Sequence, residues 1–443
     1  MKKTIIMPPQ VEKALFLLEK NGFSAYAVGG CIRDAILERV PNDWDITTSA
    51  RPEQIKECFS DFRTIETGIQ HGTLTVILDG MSLEITTYRN DGEYADNRHP
   101  IKVTFSDHVE DDLARRDFTV NAMAYHPSGA FVDLYGGEDD LTHRLIRCVG
   151  DARTRFHEDG LRILRAIRFA SVLDFDIEEE TAKEIHACKE LLRNIAAERI
   201  RVEFCKLLCG KGAVRILREY VDVIGVFLPE ILPCVGFAQN SKYHCYDVYE
   251  HTLHAIDEAN DDLVVRLSLL FHDVGKPHCY TEDSEGGHFK GHAKISMTLT
   301  EQAMKRLRFD NATVERVKTL VEIHDNGYLA VPKTVKRLMR LLSDEDILRL
   351  MEIKRCDRLS HAPGYCELLP ALTDIPRVMR EIRDSDACLS LKDLAVKGDD
   401  LMALGIPKGK ELGRALNWLL EKVLDGDLEN EKEILIKEIA RFL

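Results

Sequence analysis

The chain has 443 residues, 44% hydrophobic and 30% charged, with a formal net charge of −15 at pH 7. That length exceeds one ordinary core and implies several domains; the composition is that of a soluble globular protein, and no apolar run is long enough to cross a bilayer. The acidic balance argues against indiscriminate nucleic-acid binding, whose affinity comes from neutralising phosphates. Locally the sign reverses: residues 144–168 carry Arg144, Arg147, Arg153, Arg155, Arg162, Arg165 and Arg168 against Asp151, Glu158 and Asp159, which predicts a basic surface there. The opening Met-Lys-Lys-Thr-Ile-Ile-Met is broken by Pro8 and Pro9, too short an apolar stretch for a signal peptide. Twelve cysteines lack a CxxC pair, and Cys205 and Cys209 stand at helical spacing, so neither a zinc knuckle nor a disulfide framework is expected. Reduced thiols and a cytoplasmic address fit. No feature points to a membrane or an obligate protein partner.

In chain order, the periodicity predicts a helix from about Val11 to Asn21, a strand Ala25 to Val28, a Gly-Gly turn and a helix Ile32 to Leu37. Asp43-Trp-Asp-Ile-Thr-Thr follows as a strand. Residues 72–88 form two alternating runs joined at Asp79-Gly80, a hairpin signature. From about Leu141 the strand signals fade, and amphipathic helical patterns continue to the C-terminus. There is no internal repeat or low-complexity tract.

Several residues carry chemistry. Asp43 and Asp45, two apart in a strand, would emerge on one face and could hold Mg²⁺. Glu84 shares a face with Thr86 and Tyr88, which would make it a third acid on a neighbouring strand. Upstream, Gly29-Gly-Cys-Ile-Arg-Asp34 ends a strand in two glycines before a helix, where bare N–H groups could receive a triphosphate and Arg33 could clamp it. Further on, Glu158-Asp-Gly-Leu-Arg-Ile-Leu-Arg-Ala-Ile-Arg168 sets Asp159, Arg162, Arg165 and Arg168 at three-residue steps along one predicted helix face. A carboxylate beside a guanidinium offers acceptors and donors that suit a base edge; a solvated, salt-bridged helix is the ordinary alternative.

Gly29-Gly30, Arg33-Asp34 and Asp43-Trp-Asp45 resemble the nucleotidyltransferase signature of the polymerase-β superfamily and, more narrowly, the bacterial tRNA nucleotidyltransferase (CCA-adding) and poly(A) polymerase family. Arg115-Arg-Asp-Phe-Thr-Val-Asn-Ala122 is similar to the family's second motif, which implies that Arg116, Asp117 and Asn121 contact nucleotide sugar and phosphates. Glu158-Asp-Gly-Leu-Arg162 resembles its templating motif. Asp159 and Arg162 would then bond the base edges of CTP or ATP, with Arg165 and Arg168 supporting them or meeting phosphate. Glu198-Arg-Ile-Arg-Val-Glu203 looks like the helix that props this site. The resemblance spans about residues 20 to 210. It implies metal ions on Asp43 and Asp45 that activate an RNA 3′-hydroxyl for in-line attack on the α-phosphate, with pyrophosphate leaving; Glu84 would assist. The partners are tRNA, CTP and ATP. The polar stretch from Tyr88 to Pro100 resembles the family's flexible loop, and its length favours a complete CCA adder over an A-adding enzyme or a poly(A) polymerase.

Downstream, His251, His272-Asp273 and Asp357 are arranged like the ligand set of the HD phosphohydrolase superfamily, with His292 and His324 as further candidates for a second divalent metal. Competing readings of the whole chain are an HD phosphohydrolase with an inactive head, or a tRNA-binding module without turnover. Lys333, Lys336, Arg337 and Arg340 share a helical face, either solvated or set against tRNA phosphates. Residues 392–413 resemble the family's tail, where Gly405 to Leu412 would support binding of the tRNA body, while Trp418 and Leu419 read as core. The expected class is α+β: a polymerase-β-like head with a mixed sheet over 1–142, a helical neck for base and tRNA recognition over 143–215, an HD-type helical domain over 216–370 and a helical tail over 371–443.

Overall fold

The computed structural model describes residues 5–69, 72–92, 103–367, 369–385 and 387–442, and they divide into two compact units, Met1–Leu232 and Pro233–Leu443. The first unit opens with α1 (Pro9–Lys20), β1 (Ala25–Val28), α2 (Gly30–Ile36), β2 (Asp45–Thr48), α3 (Pro52–Cys58), β3 (Arg63–Ile65), β4 (Thr73–Leu78) and β5 (Met81–Thr87). Asp79 (φ 48°) and Gly80 (φ 84°) join β4 to β5, two successive left-handed residues as a type I′ hairpin turn requires. A short pair, β6 (Arg89–Asp91) and β7 (Val103–Phe105), follows; residues 93–100 of the expected flexible loop lie outside the described residues. Next come α4 (Val109–Ala114), β8 (Met123–Tyr125), β9 (Phe131–Asp133) and α5 (Gly137–His143).

Seven of these strands form one mixed sheet in the order β3-β4-β5-β2-β1-β8-β9, in which β2 and β5 run parallel and the other neighbours antiparallel. Alternation decides its two faces. Ile46, Leu74, Val76, Leu83 and Ile85 are fully buried on the side covered by α1 and α3. Asp45, Thr47, Glu84 and Thr86 share the opposite side. Helix α4 covers one end of that polar face, so Tyr88 is buried with Val28, Val109 and Leu113 and its hydroxyl is 3.2 Å from Ser24 Oγ.

The rest of this unit is β10 (Leu145–Ile146), α6 (Ala152–Glu158), α7 (Leu161–Leu173), β11 (Asp176–Ile177), α8 (Glu179–Cys188), α9 (Ala197–Leu208), α10 (Ala213–Glu219) and α11 (Val221–Ile224). The single helix expected to carry Asp159 with the arginines is two. Helix α6 stops at Glu158, Asp159 is extended (φ −139°, ψ 104°), and its Oδ1 accepts the Leu161 N–H at the start of α7 (3.0 Å). The Asp-Gly pair explains the break, since a short carboxylate satisfies an orphan N–H of the next helix and glycine weakens continuation.

The second unit contains α12 (Val248–Asp257), α13 (Leu263–Phe271), a hairpin of β12 (Thr281–Asp283) and β13 (Gly286–His288), then α14 (His292–Arg306), α15 (Asn311–Ile323), α16 (Pro332–Leu341), α17 (Asp344–Leu359), α18 (Ala371–Asp384), α19 (Gly398–Ala403), α20 (Lys410–Asp425) and α21 (Lys432–Phe442). The hairpin and the β10–β11 pair interrupt the all-helical expectation. Gly286 and Gly287 permit the hairpin, because a Cβ on either would stand 2.5 and 2.3 Å from the carbonyls of Asn240 and Gln239. Leu419 is fully buried in the tail core and Trp418 packs against it, as expected. Among the described residues no helix is long and apolar enough to cross a membrane.

Gly275 brings the turn after α13 against the start of α14: its N–H donates to Ser296 Oγ (2.9 Å), and a Cβ there would sit 2.4 Å from the His292 carbonyl oxygen and 2.7 Å from the Ser296 nitrogen. Both are backbone atoms that cannot swing away. Gly275→Ala should therefore destabilise the second unit by about 1–3 kcal/mol, read as a lower midpoint of its thermal unfolding.

Candidate active site and candidate metal centre

The polar face of the sheet gathers the predicted acids. Asp45 stands directly across from Glu84 in the parallel β2–β5 register. Asp43 precedes β2 instead of lying within it, and is exposed. Burial, opposed by Arg116 and reinforced by Glu84 and Asp43, pushes the Asp45 carboxyl up to about 6. Three carboxylates gathered at one end of the parallel strand pair suit a hard divalent cation, so the donor set fits the metal that a nucleotidyltransferase uses.

Asp112 was not recognised in the sequence, yet it organises this end of the site. Its buried carboxylate accepts from Thr47 (3.1 Å), Arg115 (2.9 and 2.6 Å) and Arg116 (3.1 Å). Burial alone would raise its pKa; Arg116 and Arg115 hold it below the usual carboxylate range. Arg116 is thereby aimed over Gly29, where a Cβ would meet its Nη1 at 2.8 Å, and Gly29 has φ 84°. The positive φ calls for glycine there, and a side chain would also displace the Arg116 guanidinium. Arg116 Nε is buried without a hydrogen-bond partner among the described residues, a donor available to an incoming anion.

The other motif residues form a chain of charge pairs. Arg33, expected as a phosphate clamp, is spent on Asp34 (2.8 Å) and Asn121 (2.7 Å). Asn121 donates to Asp117 (3.1 Å), and Asp117 accepts from Arg165 (2.8 and 2.5 Å). Burial would raise the Asp117 carboxyl, but Arg165 and Asn121 hold it well below its usual value. Arg168 donates to Glu203 (2.7 Å) and stacks on Phe169 (3.5 Å to the ring centre). Arg162 pairs with Glu158 and donates to the carbonyls of Arg155 (3.2 Å) and Arg115 (3.0 Å). Asp159 accepts from Arg199 on α9 (2.8 Å), a partner also missed in the sequence. Helix α9 thus holds Asp159 through Arg199 and Arg168 through Glu203.

The expected basic surface is largely consumed by these bonds. Arg144 pairs with Asp174, Arg147 with Asp140, and Arg155 and Arg162 with Glu158. On α16, Lys333 and Arg337 reach Asp425 of α20 (2.9 and 2.8 Å) and Arg340 reaches Glu421 (2.5 Å). These cations pair with acids of the same chain while staying exposed, and Lys336 on the same helix is half-buried, so the helix has a solvated, salt-bridged face.

In the second unit a histidine–aspartate cluster assembles from α12, the end of α13, the start of α14, the end of α15 and α17. His251 Nε2 lies 2.9 Å from Asp357 Oδ1 and 3.7 Å from Asp273 Oδ2; His272 Nε2 lies 3.2 Å from Asp273 Oδ2 and 3.6 Å from Asp357 Oδ1. On the other side of Asp273, His292 Nε2 and His324 Nε2 are 3.3 and 3.9 Å from Oδ1. The Nδ1 atoms of these four imidazoles stand 2.6–3.2 Å from the backbone oxygens of Ser360, Leu269, Phe289 and Val321. That arrangement fixes the proton on Nδ1 and aims every Nε2 lone pair inward, the pattern of metal-ligating histidines. Burial would raise Asp273, but His272 and Lys276 keep it well below the carboxylate range. Lys276 Nζ lies 2.6 Å from Asp273 Oδ2, and His272 Nε2 is buried without a well-aligned hydrogen-bond partner among the described residues. The six expected ligands are together, and the set suits a divalent metal.

Residues 25–147 match the poly A polymerase head domain, residues 174–232 the RNA- and SrmB-binding region described for polymerase A, and residues 291–439 a tRNA nucleotidyltransferase domain 2. A CCA-adding enzyme of Pediococcus pentosaceus is 45% identical over 98% of this chain and 99% of its own length. One from Lactobacillus delbrueckii subsp. bulgaricus is 37% identical over 98% and 96%. The crystal structure of the Bacillus stearothermophilus CCA-adding enzyme in complex with CTP superposes with a TM-score of 0.75 at 27% identity, covering 98% of each chain. The chain belongs to the CCA-adding enzyme family.

Proposed function

We propose that this chain adds C, C and A to the 3′ ends of tRNA from CTP and ATP, without a nucleic-acid template and with release of pyrophosphate. The observation that carries this reading is the crowded carboxylate face of Asp43, Asp45 and Glu84 beside Arg116, in a chain whose likeness to CCA-adding enzymes runs over nearly its whole length. Mg²⁺ held by Asp43 and Asp45 supplies Lewis acidity for the 3′-hydroxyl and charge neutralisation for the leaving pyrophosphate. Arg116, held by Asp112, presents its free Nε to phosphate oxygens next to the Gly29-Gly30 backbone. Glu84 orients the acidic set across the strand pair.

Base choice follows from hydrogen-bond polarity. The pairing edges of cytosine and adenine both present an exocyclic amino donor beside a ring-nitrogen acceptor. Asp159 is acceptor-only and Arg162 donor-only, so the pair matches C and A, whereas G and U present the reverse order. Arg199 and the Leu161 N–H each take one carboxylate oxygen of Asp159 and leave lone pairs for the base. Asp117, Asn121, Arg165, Arg168 and Arg33 act from behind as positioning groups for this neck–head junction. We assign the head, neck, body and tail to 1–142, 143–215, 216–370 and 371–443, the tail meeting the tRNA body, and place the protein in the cytoplasm, where twelve free thiols are compatible.

A second reading rests on the convergence of His251, His272 and Asp357 on one side of Asp273 and of His292 and His324 on the other. We propose that Asp273 bridges two divalent cations, one also ligated by His251, His272 and Asp357 and the other by His292 and His324, as in HD phosphohydrolases.

Asp43→Ala with Asp45→Ala should lower nucleotide incorporation into tRNA by more than about 100-fold, while His272→Ala with Asp273→Ala leaves incorporation intact and removes metal binding from the second unit. The opposite result would favour an HD hydrolase with an inactive head. Because Asp45 titrates near 6, its carboxylate is the dominant form above that pH and is lost below it; the Mg²⁺ concentration for half-maximal incorporation should rise as pH falls through about 6, and Asp45→Asn should show no such step. Asp159→Ala should reduce discrimination of CTP and ATP from UTP and GTP by about 1–3 kcal/mol in kcat/KM. Arg199→Ala should produce a smaller change of the same kind, since the carboxylate stays but loses its orientation.

A further inference from the structure

Two imidazoles beside the histidine–aspartate cluster belong to no motif. His244 lies in the loop before α12, and His361 follows α17 one turn after Asp357. With His251 they form a compact trio whose ligand atoms all lie within 4.8 Å of one another. The rings of His244 and His251 are 5.0 Å apart at 89°, and those of His244 and His361 4.7 Å apart at 74°. The third pair, His251 and His361, lies 5.7 Å apart at 34°.

The Nδ1 of His251 faces the Ser360 carbonyl, which turns its Nε2 to the cluster. His244 Nδ1 is buried without a hydrogen-bond partner among the described residues. His361 Nε2 stands 3.8 Å from Asp357 Oδ1, and its Nδ1 has a long 3.4 Å contact with Arg358 Nη1. At that length the bond is weak enough to give way, and Arg358 is held independently by the Glu367 carbonyl (3.1 Å). The two segments are pinned together: the Ala362 N–H donates to the Tyr243 carbonyl (2.8 Å), and Tyr243 packs edge-on against Tyr365 (4.9 Å). His244 and His361 are therefore presented by neighbours that a backbone bond fixes in register, at one side of a cavity of about 1220 Å³ that also reaches Asp273, His292 and His324.

We propose that His244, His251 and His361 form a third cation position for a borderline divalent metal such as Zn²⁺, next to the two bridged by Asp273. The proposal rests on the reading of the cluster as a metal centre. Three imidazole nitrogens with one position left to water are a donor set that Zn²⁺ and Co²⁺ accept and Mg²⁺ does not. His251 has one available lone pair, so the third cation draws it from the middle position and leaves that one to His272, Asp273 and Asp357. Binding at the third position is accordingly the weakest of the three, and it is the one selective for nitrogen-preferring metals.

The test is a count of cations. The full-length protein is stripped with chelator, dialysed against Zn²⁺ or Co²⁺, and assayed for bound metal per chain and, with Co²⁺, for visible absorption. Wild type should bind one cation per chain more than either His244→Ala or His361→Gln, that cation released first on dilution, and both variants should lose part of the Co²⁺ absorption. Two separate variants, each checked by thermal unfolding, guard against a misfolded loop. Equal metal content in wild type and both variants would overturn the third position while leaving the two-cation centre standing. No bound metal in wild type would overturn both.

Discussion

Buried guanidinium groups must keep a carboxylate, and in the first unit this constraint fixes where Arg116, Arg165 and Arg168 point. Asp112, Asp117 and Glu203 each lie below a tenth exposed and each holds an arginine. Removing one partner of such a pair leaves an uncompensated charge, typically at a cost of about 3–5 kcal/mol. The pairs run in series, from Arg33 through Asn121 and Asp117 to Arg165, and from Glu203 to Arg168, so the head and the helix carrying Arg162 are registered by ionic contacts as well as by apolar packing. The site is ordered before a nucleotide arrives.

The acidic face works in the other direction. Asp45 and Glu84 sit side by side in a parallel strand pair where like charges repel, and burial raises the proton affinity of Asp45 further. Without a cation this is a local conflict with stability, of the kind that marks functional sites. The histidine–aspartate cluster repeats the principle with other ligands: the buried His272 Nε2 lacks a hydrogen-bond partner among the described residues, which has a cost in the protein alone that a metal would offset.

Much of this was legible in sequence because it depends on short-range patterns. The Ala25–Val28 strand, the Asp79-Gly80 hairpin and the order of motifs stand where periodicity and turn chemistry put them. The six expected histidine and aspartate ligands converge, although they come from five separate segments. What escaped was set by tertiary partners. Nothing in Val109-Glu-Asp-Asp-Leu113 distinguishes Asp112 from its acidic neighbours until α4 buries it against Thr47. Equal spacing suggested that Asp159 and the arginines shared a helix, but Gly160 and the capping of Leu161 ended one helix and began another. Arg165, Arg168 and the basic face of α16 looked like open surface because their acidic partners lie far away in sequence, near the head motif, on α9 and on α20. His244 and His361 carried no motif signal at all, since a backbone bond between their neighbours brings them together.

The central claim is that one protein pocket selects C, C and then A. The direct measurement is nucleotide incorporation on three tRNAs ending before CCA, after C and after CC, with CTP and ATP supplied singly and together. The account predicts that all three finish as CCA, that CTP alone stops at CC, and that ATP alone extends the CC-ended tRNA by one residue. Extension of that last substrate only, or a long A tail, would contradict it.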